Sequence, residues 1–469
     1  MEVLQRTANR GSISTDTGYN IDNSLKLESD NSEYLKAEGR PAGNQQIWTW
    51  SCWLKRTEVN NGVVAQYMFS AGSDGKLGLY FRDDSSSTGG DTIFIYVDEG
   101  NSLKWIGELR VSFRDTSAWY HIVFAVDSTD GTAADRTKIY VNGVQQTITF
   151  NATLNQNSNT RIGDSGGKLS IGAKMDGSYE FNGYMAEVVL VDGSQLTPTS
   201  FGEFDDDSGI WKPKDVSSLS LGNAGFYMNF DDSSNLGKVQ TGTSQGNFDL
   251  YNITAADQAT DTPTNNGCTL NVLASLEGSN DITEGALVST GKAGGGGNFN
   301  GTYGTMGIDP FNSSVDWYWE IETSIGTSGS DTDIGIGWIK ESRITSGSTA
   351  YNNVYADGIS RYSSQTANAA GDIWGVLLET GTTPVFKLYR NDSLIHTSTH
   401  GSGGVSFDTL MFPYITVKGT NVDARLNFLN PASSFSIASG NADPNGYGNF
   451  EFDTKNGYAL CTKNLAEYG

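Results

Sequence analysis

Residues 119–143 read WYHIVFAVDSTDGTAADRTKIYVNG and decide the fold class of this 469-residue chain. Over the first nine residues, every second side chain is large and apolar or aromatic, namely Tyr120, Ile122, Phe124 and Val126. That alternation is typical of a β-strand with one buried face. Asn142 and Gly143 then suit the two central positions of a tight turn, where both residues take positive φ. The stretch therefore predicts a β-hairpin whose chain reverses into residues 144–150.

A second series of strands occupies residues 317–392 and has a different pattern. Apolar and aromatic residues alternate there with others, as in Trp317, Trp319 and Ile321 against Tyr318 and Glu320. Runs of Ser, Thr, Asn and Asp separate the aromatic strands of both series, and no window shows a sustained helical period. The sequence therefore predicts an all-β protein with two β-sandwiches of different kinds.

The domain boundaries follow from changes in composition. Residues 1–20 are polar and carry no strand pattern, so we predict an N-terminal docking arm. Residues 255–267, AADQATDTPTNNG, contain no large apolar residue and are predicted to be a polar linker. The first sandwich then spans residues 21–254, and the second, with a C-terminal extension, spans residues 268–469.

Charge and composition exclude several classes of partner. Thirty Lys and Arg against 54 Asp and Glu give a formal charge of −24, which repels nucleic acid and anionic membrane surfaces. The longest apolar runs, such as IVFAV, are too short to span a membrane. We expect neither nucleic-acid binding nor membrane insertion. The three cysteines are too few and too far apart for a disulfide framework and are predicted to be buried thiols.

The titratable residues do not form a catalytic set, and we predict that the protein is not an enzyme. Glu187 and Asp192 lie five residues apart, which places them on opposite faces of a strand. Glu320 and Glu322 share a face, where a solvated acidic edge explains them more simply than a glycosidase pair. His121 lies inside a strand and is predicted to be structural. Paired carboxylates converging in a cleft would instead indicate a polysaccharide depolymerase.

Two groups of loop residues are candidate binding sites. Calcium takes its oxygen ligands from acidic turns, and the candidates here are Asp74, Asp83 and Asp84. In the long polar stretch 345–372, sugar rings can stack on three tyrosines, Tyr351, Tyr355 and Tyr362. The alternative is that these tyrosines cover a neighbouring core. The pattern leaves both interpretations open.

Several motifs resemble known families. Residues 119–121, 139–143 and 181–188 (WYH, IYVNG, FNGYMAEV) resemble the laminin-G-like branch of the concanavalin A-like lectin/glucanase jelly rolls, over residues 20–250. A SPRY domain, also a two-sheet sandwich, is similar to residues 270–430 through GTYGT, WYWE, IGIG, GDIWG and FKLYRN, which start at positions 301, 317, 334, 371 and 386. The paired acids of the glucanase branch are absent. The resemblance thus implies lectin-like modules rather than hydrolases.

The order of these parts is similar to that of structural proteins of tailed phages, especially marine ones. Four stretches carry this likeness: LQRTANRGSIS at 4–14, FGEFDDDSGIWKPKDVS at 201–217, ATDTPTNN at 259–266 and GYALCTKNL at 457–465. The resemblance implies a surface-exposed virion component, made in the host cytoplasm, that acts as a tail-fibre or receptor-binding appendage and contacts host glycans. Its partners would be other virion proteins and copies of itself, by analogy in a trimer. The alternative is a capsid decoration or assembly protein.

Overall fold

A computed structural model describes the chain over residues 18–59, 65–72, 77–82, 90–99, 102–241, 246–273, 281–291, 300–324, 333–346, 369–402, 405–418 and 422–469. The chain divides into two compact units, a first unit Met1–Thr264 and a second unit Asn265–Gly469. Over the described ranges, no helix is long and apolar enough to cross a membrane. The predicted all-β class is confirmed, since strands build the core of both units.

The first unit consists of strands and short 3-10 turns. Its strands are β1 Ser24–Leu27, β2 Tyr34–Arg40, β3 Ile47–Arg56, β4 Gln66–Ala71, β5 Leu77–Arg82, β6 Thr92–Glu99, β7 Ser102–Leu109, β8 Trp119–Asp127, β9 Thr137–Val141, β10 Val144–Gln145, β11 Ile148–Phe150, β12 Gly167–Ile171, β13 Gly183–Asp192, β14 Gly202–Phe204, β15 Trp211–Pro213, β16 Phe226–Met228, β17 Asp249–Tyr251 and β18 Gln258–Ala259. Its 3-10 turns are Ser29–Asn31, Ala133–Arg136, Pro198–Ser200 and Ala255–Asp257.

Two antiparallel sheets face each other in this unit. Sheet A has the order β10-β9-β8-β3-β13-β1-β18, with β16 also paired to β13. Sheet B has the order β11-β7-β6-β5-β4-β12-β2-β17. Alternation along the strands buries one face of each sheet in a shared core. Trp50 of sheet A stacks on Phe69 of sheet B with ring centroids 5.5 Å apart, which ties the two layers together.

The predicted hairpin at residues 119–150 is present. Asn142 and Gly143 take φ of 47° and 79°, and the chain reverses so that Val144 pairs with Val141. Gly143 is required for a second reason, because a Cβ there would lie 2.3 Å from Cε3 of Trp211. The turn therefore fixes the hairpin and also leaves room for an indole.

The outer face of sheet A is covered by other parts of the same unit. Apolar side chains of residues 196–221, including Phe201, Trp211 and Val216, pack on it. Ile21 and Ala259 join this layer from the two ends of the unit. Sheet A is thus buried on both sides, which explains why β3 carries large side chains on both faces.

The segment predicted to be a polar linker is part of this covering layer. Asp261 lies 2.7 Å from the Lys55 ammonium, and both side chains are almost completely buried. The Trp119 indole also donates a hydrogen bond to Asp261, and Ala259 pairs with Ser24 at the edge of sheet A. Residues 255–264 therefore pack against the first unit instead of forming an open connection, because their polar side chains find buried partners. The boundary between the units falls after Thr264.

The predicted arm at residues 1–20 overlaps the described residues only at its end. Tyr19 packs beside the outer face of sheet A, and Ile21 is buried. Residues 1–17 lie outside the described part of the chain.

The second unit is a sandwich of two antiparallel sheets with short helices. Its strands are β19 Asp281–Thr283, β20 Val288–Thr290, β21 Asn300–Tyr303, β22 Trp317–Thr323, β23 Asp333–Lys340, β24 Ile373–Glu379, β25 Val385–Arg390, β26 Ser393–Thr399, β27 Met411–Lys418, β28 Asp423–Asn427 and β29 Tyr458–Ala459. The helices are α1 Glu341–Ser346 and α2 Thr462–Tyr468. The larger sheet has the order β19-β20-β28-β22-β24-β25-β26, with β29 parallel to β22, and the smaller has the order β21-β27-β23.

Tryptophans dominate the core of the second unit. Trp317, Trp319, Trp338 and Trp374 are all at most 1% exposed. Trp319 of the larger sheet meets Trp338 of the smaller sheet edge to face, with ring centroids 6.5 Å apart. The alternation of residues 317–321 therefore does mark a buried face. All three cysteines of the chain are buried free thiols, as predicted.

Replacing Asp261 by Ala is expected to destabilise the first unit by about 3 to 5 kcal/mol, because it leaves the Lys55 ammonium buried without its carboxylate. Urea unfolding of the full chain measures the loss. Asp206→Ala, at an exposed position, is the matched control and is expected to change the free energy of unfolding by less than about 0.5 kcal/mol. Equal stability of the two variants would show that residues 255–264 behave as an open linker.

Candidate functional site

The outer face of sheet B carries a concentration of tyrosines. We call it the tyrosine face and define it by Tyr34, Tyr67, Tyr80, Tyr96, Tyr179 and Tyr251. Alternation places these side chains opposite the core residues of the same strands, such as Leu79 and Ile95. Tyr179 comes from the loop after β12 and reaches the face because its carbonyl accepts a hydrogen bond from the backbone N–H of Tyr67 (2.9 Å).

Strand register aligns most of these rings in one row. Tyr251 pairs with Tyr34 across β17 and β2, and Tyr67 pairs with Tyr80 across β4 and β5. Phe94 on β6 pairs with Tyr80 and extends the row. This aromatic row runs across the strands, perpendicular to the chain direction.

The rings of the row contact one another in two groups, Tyr34 with Tyr251 and Tyr67 with Tyr80, Tyr179 and Phe94. Tyr34 and Tyr251 stack with centroids 4.3 Å apart, and Tyr67 and Tyr80 stack at 4.6 Å. Tyr179 lies 6.2 Å from Tyr67. Gly78 allows Tyr67 to lie flat on the sheet, because a Cβ there would come within 2.5 Å of the Tyr67 ring. Packing of ring on ring holds the row in place before any ligand arrives.

Exposure differs along the row. Tyr179 is 42% exposed and Tyr251 is 37% exposed, whereas Tyr80 and Phe94 are buried. The apolar contacts of Tyr80 and Phe94 include Ala65, Tyr67 and Tyr96, and the Arg82 guanidinium lies over the Phe94 ring, 4.8 Å from its centroid. The rings of Tyr251, Tyr34, Tyr179 and Tyr67 are thus partly exposed, in contrast to the covered outer face of sheet A.

Charged groups on the tyrosine face are paired with one another. The carboxylate of Glu38 lies 3.0 Å from the ammonium groups of both Lys36 and Lys168. These two hydrogen bonds hold the pKa of Glu38 below its usual value. Lys174 lies 3.0 Å from Asp176 in the loop that carries Tyr179. The face therefore has polar groups beside its rings, and its three lysines exceed the two carboxylates that they contact by one charge.

The predicted site residues fall elsewhere in the chain. Tyr351, Tyr355 and Tyr362 lie outside the described residues, as do Asp74, Asp83 and Asp84. Within the described ranges, no group of three or more His, Cys, Asp or Glu side chains is placed to hold a metal ion. Both the tyrosine site at 345–372 and the calcium site remain predictions from sequence.

A buried serine–histidine pair in the first unit has the appearance of catalytic residues. Ser51 Oγ lies 2.9 Å from Nε2 of His121, in a small cavity that Glu187 also lines. The Trp211 indole N–H, however, donates to Nδ1 of His121 (3.0 Å). Nδ1 is therefore the acceptor, and the neutral ring carries its proton on Nε2 and donates it to Ser51. Such a ring cannot take the proton of the serine.

The environment of His121 reinforces this assignment. The ring is fully buried and stacks on Trp53 with centroids 4.7 Å apart. Burial lowers the pKa of His121 to about 3, so the imidazole stays neutral. In a hydrolytic triad, a carboxylate accepts from Nδ1, whereas here an indole donates to it. His121 is a structural residue, in agreement with the sequence interpretation.

The carboxylates of β22 are also structural, although not in the way predicted. Glu320 and Glu322 are buried rather than solvated. Glu320 accepts hydrogen bonds from the Tyr318 hydroxyl and from the backbone N–H groups of Glu451 and Phe452. Glu322 pairs with Arg425 and accepts from the backbone N–H of Ser436. The prediction of a solvated acidic edge was wrong because the C-terminal segment packs over this face and supplies donors for both carboxylates.

Glu187 occupies a bulge in β13 with φ of 51°, where the register with β3 shifts. Its carboxylate accepts hydrogen bonds from the hydroxyls of Tyr19 and Tyr227. Burial raises the pKa of Glu187 to about 7, against the opposing effect of these two donors. Asp192, at the end of the strand, accepts instead from the backbone N–H groups of Asn44, Asn223 and Ala224. The two acids therefore anchor different segments and do not converge.

Comparison with known proteins supports the fold of the first unit. Residues 29–199 match the family model described as the concanavalin A-like lectin/glucanases superfamily, in its laminin-G form. The predicted laminin-G-like jelly roll is thereby confirmed for this region. No curated protein matches the sequence.

Solved structures resemble parts of the chain at low identity. A heptameric SAP-like pentraxin from Limulus polyphemus is 17% identical, with 38% of this chain and 80% of that chain covered and a TM-score of 0.27. A human SPRY domain is 14% identical, with coverages of 30% and 90% and a TM-score of 0.23. Tailspike protein 2 of Escherichia coli O157:H7 bacteriophage CAB120 is 15% identical, with coverages of 38% and 25% and a TM-score of 0.26. These values carry no functional information.

The contribution of Glu187 to the free energy of unfolding of the first unit is expected to fall as pH rises from about 5 to about 8. Since folding raises the pKa of Glu187 above its ordinary value, the folded state binds the proton more tightly, and this stabilisation is lost as the pH passes the folded pKa of about 7. Hydrogen exchange of peptides from residues 183–192 at the two pH values measures the fall. Glu187→Gln is expected to reduce it, and an equal fall in both proteins would contradict the assignment.

Proposed function

We propose that this protein binds glycans through the tyrosine face and does not cleave them. The observation that carries the proposal is the row of tyrosines on a sheet face that the rest of the described first unit leaves accessible. Sugar rings have one or both faces lined by C–H groups, which stack on aromatic rings, while their hydroxyls need polar partners nearby. The tyrosine face supplies both, since its tyrosines carry polar hydroxyls and lie beside Lys36 and Glu38.

The absence of catalysis is part of the proposal. In the described residues, the carboxylates that sequence spacing marks as candidates accept hydrogen bonds from backbone or tyrosine donors, and His121 holds its proton on the wrong nitrogen for base catalysis. A depolymerase would need two carboxylates that flank the sugar. Reducing-end release from a bound polysaccharide, abolished by one carboxylate substitution, would overturn this part.

We extend the proposal to the setting in which the protein acts, as a tail-fibre or receptor-binding component of a phage virion. The order of sequence motifs shared with tailed-phage structural proteins supports this setting, and a lectin-like first unit suits contact with host surface glycans. Many copies on one particle would amplify the modest affinity of a single open face.

Removing two exposed rings is expected to weaken glycan binding. In Tyr179→Ala/Tyr251→Ala, the loss of two stacking contacts of ~0.5–1.5 kcal/mol each lowers affinity roughly 5- to 150-fold. Affinity gel electrophoresis in gels that contain hydroxyethylcellulose, galactomannan, xylan or glycogen measures retardation. Phe204→Ala is the matched control, because Phe204 is 48% exposed but belongs to the β14–β15 hairpin beside sheet A. Retardation that persists unchanged in the double variant would reject the tyrosine face.

The role in the virion is tested by adsorption. Particles that carry Tyr179→Ala/Tyr251→Ala are expected to adsorb to host cells more slowly than particles that carry Phe204→Ala. Normal adsorption by particles that lack the whole protein would favour the alternative role, capsid decoration or assembly.

A further inference from the structure

A second row of residues runs parallel to the aromatic row and is displaced from it by two residues along the strands. Strand register places Asp249, Lys36, Ser170, Ser70 and Gly78 side by side on strands β17, β2, β12, β4 and β5. Asp249, Lys36 and Gly78 are each two residues from a tyrosine of the aromatic row, so they lie on the same outer face of sheet B. Ser170 pairs with Lys36 and Ser70 pairs with Gly78, which places both serines on that face as well. We call this set the polar row.

The two serines of the polar row are adjacent and buried. Ser70 and Ser170 form a direct cross-strand pair, and both are 0% exposed. Their hydroxyls have no hydrogen-bond partner within the described structure. A buried hydroxyl without a partner destabilises the folded state, so it requires an explanation. On a face that already presents a row of stacking rings, the explanation is a ligand that supplies the missing partners.

The length of the accessible row sets the size of that ligand. From Tyr251 on β17 to Tyr67 on β4 the row crosses three strand spacings, about 14 Å at ~4.8 Å each. One pyranose residue advances a linear glycan by about one strand spacing. Three or four consecutive sugars therefore fit the row, with the glycan running across the strands.

The charges beside the rows determine which glycans suit the face. Lys36 and Lys168 are both committed to Glu38, and Lys174 is committed to Asp176. Asp249 adds a negative charge to the polar row, and the whole chain carries −24. Glu38, Asp176 and Asp249 together balance the three lysines, so an acidic sugar would find no net positive charge among these residues and would be repelled by the overall field.

We infer that the tyrosine face is a site for a linear neutral oligosaccharide of three or four residues, whose hydroxyls pair with Ser70 and Ser170 while its rings stack on the aromatic row. The inference rests on the proposed function and specifies its ligand class. Lys36 is the cross-strand neighbour of Ser170 and is partly exposed. Since both hydroxyls are fully covered in the structure, the inference requires that the side chains above them move when the glycan binds.

The first test is chain length. Isothermal titration of the full chain with cello-, manno-, xylo- and malto-oligosaccharides of one to six residues is expected to show, in the series that binds, affinity that increases up to three or four residues and then levels. Equal affinity for the monosaccharide, or an increase that continues to six residues, would overturn the inference while polysaccharide binding still stands. Tighter binding of oligogalacturonates would refute the neutral class. No binding to any probe, together with no retardation in the four polysaccharide gels, would remove the proposed function as well.

The second test is Ser170→Ala. The variant is expected to lose roughly 3- to 10-fold in affinity for the tetrasaccharide, because one hydrogen bond to the sugar is gone. Its denaturation midpoint is expected to rise, because a buried hydroxyl without a partner has been removed. Ser289→Ala is the matched control, since Ser289 has an equally buried hydroxyl without a partner but lies on β20 of the second unit. It should raise stability without changing affinity, and unchanged affinity in Ser170→Ala would refute the role of the polar row.

Discussion

Sheet B carries large side chains on both faces, and only one of those faces can be buried against sheet A. The inner face supplies Phe69, Leu79 and Ile95 to the shared core. The outer face keeps its tyrosines in contact with one another and, from Tyr251 to Tyr67, with solvent. Partly exposed rings that lie next to one another leave apolar surface in contact with water, and contiguous surface of this kind often marks a binding site, which is why this constraint of the fold leads to a proposal about function.

The outer face of sheet A, in contrast, is covered by other segments of the first unit. Residues 196–221, the Tyr19–Ile21 segment and residues 255–264 cover it, and the buried pair Lys55–Asp261 fastens the last of these. The polar residues with a catalytic appearance lie on strands of sheet A or of the larger sheet of the second unit and contact the segments that cover those sheets. His121 binds the covering segment through Trp211, and Glu320 binds the C-terminal segment through two backbone N–H groups. Because these side chains are buried and hydrogen-bonded to covering segments, their role is structural.

The sequence predicts well what depends on neighbouring residues. Period-two alternation and the Asn142–Gly143 turn locate the hairpin at 119–150, and the alternation from Trp317 to Ile321 correctly indicates a strand with a buried face. The covering of a sheet face depends instead on residues far apart in the chain. Asp261 meets Lys55 across 206 positions, and Trp211 meets His121 across 90. For that reason the composition of residues 255–267 suggests a linker where the structure has a packed segment. The sequence does not reveal the tyrosine face, because the aromatic pattern of residues 77–82 and 92–98 is also typical of strands buried on both sides. Whether such a face is covered depends on residues far away in the chain. The only local signal was the number of tyrosines at outward positions.

The central claim, that the tyrosine face binds sugar rings, is tested most directly by fluorine NMR of the protein labelled with 3-fluorotyrosine. During titration with the oligosaccharide that binds most tightly, the resonances of Tyr34, Tyr179 and Tyr251 are expected to shift with one common dissociation constant. Tyr389 and Tyr447 of the second unit provide the internal reference and are expected to stay unchanged. Shifts confined to tyrosines outside sheet B, with Tyr179 and Tyr251 unaffected at saturation, would contradict the claim.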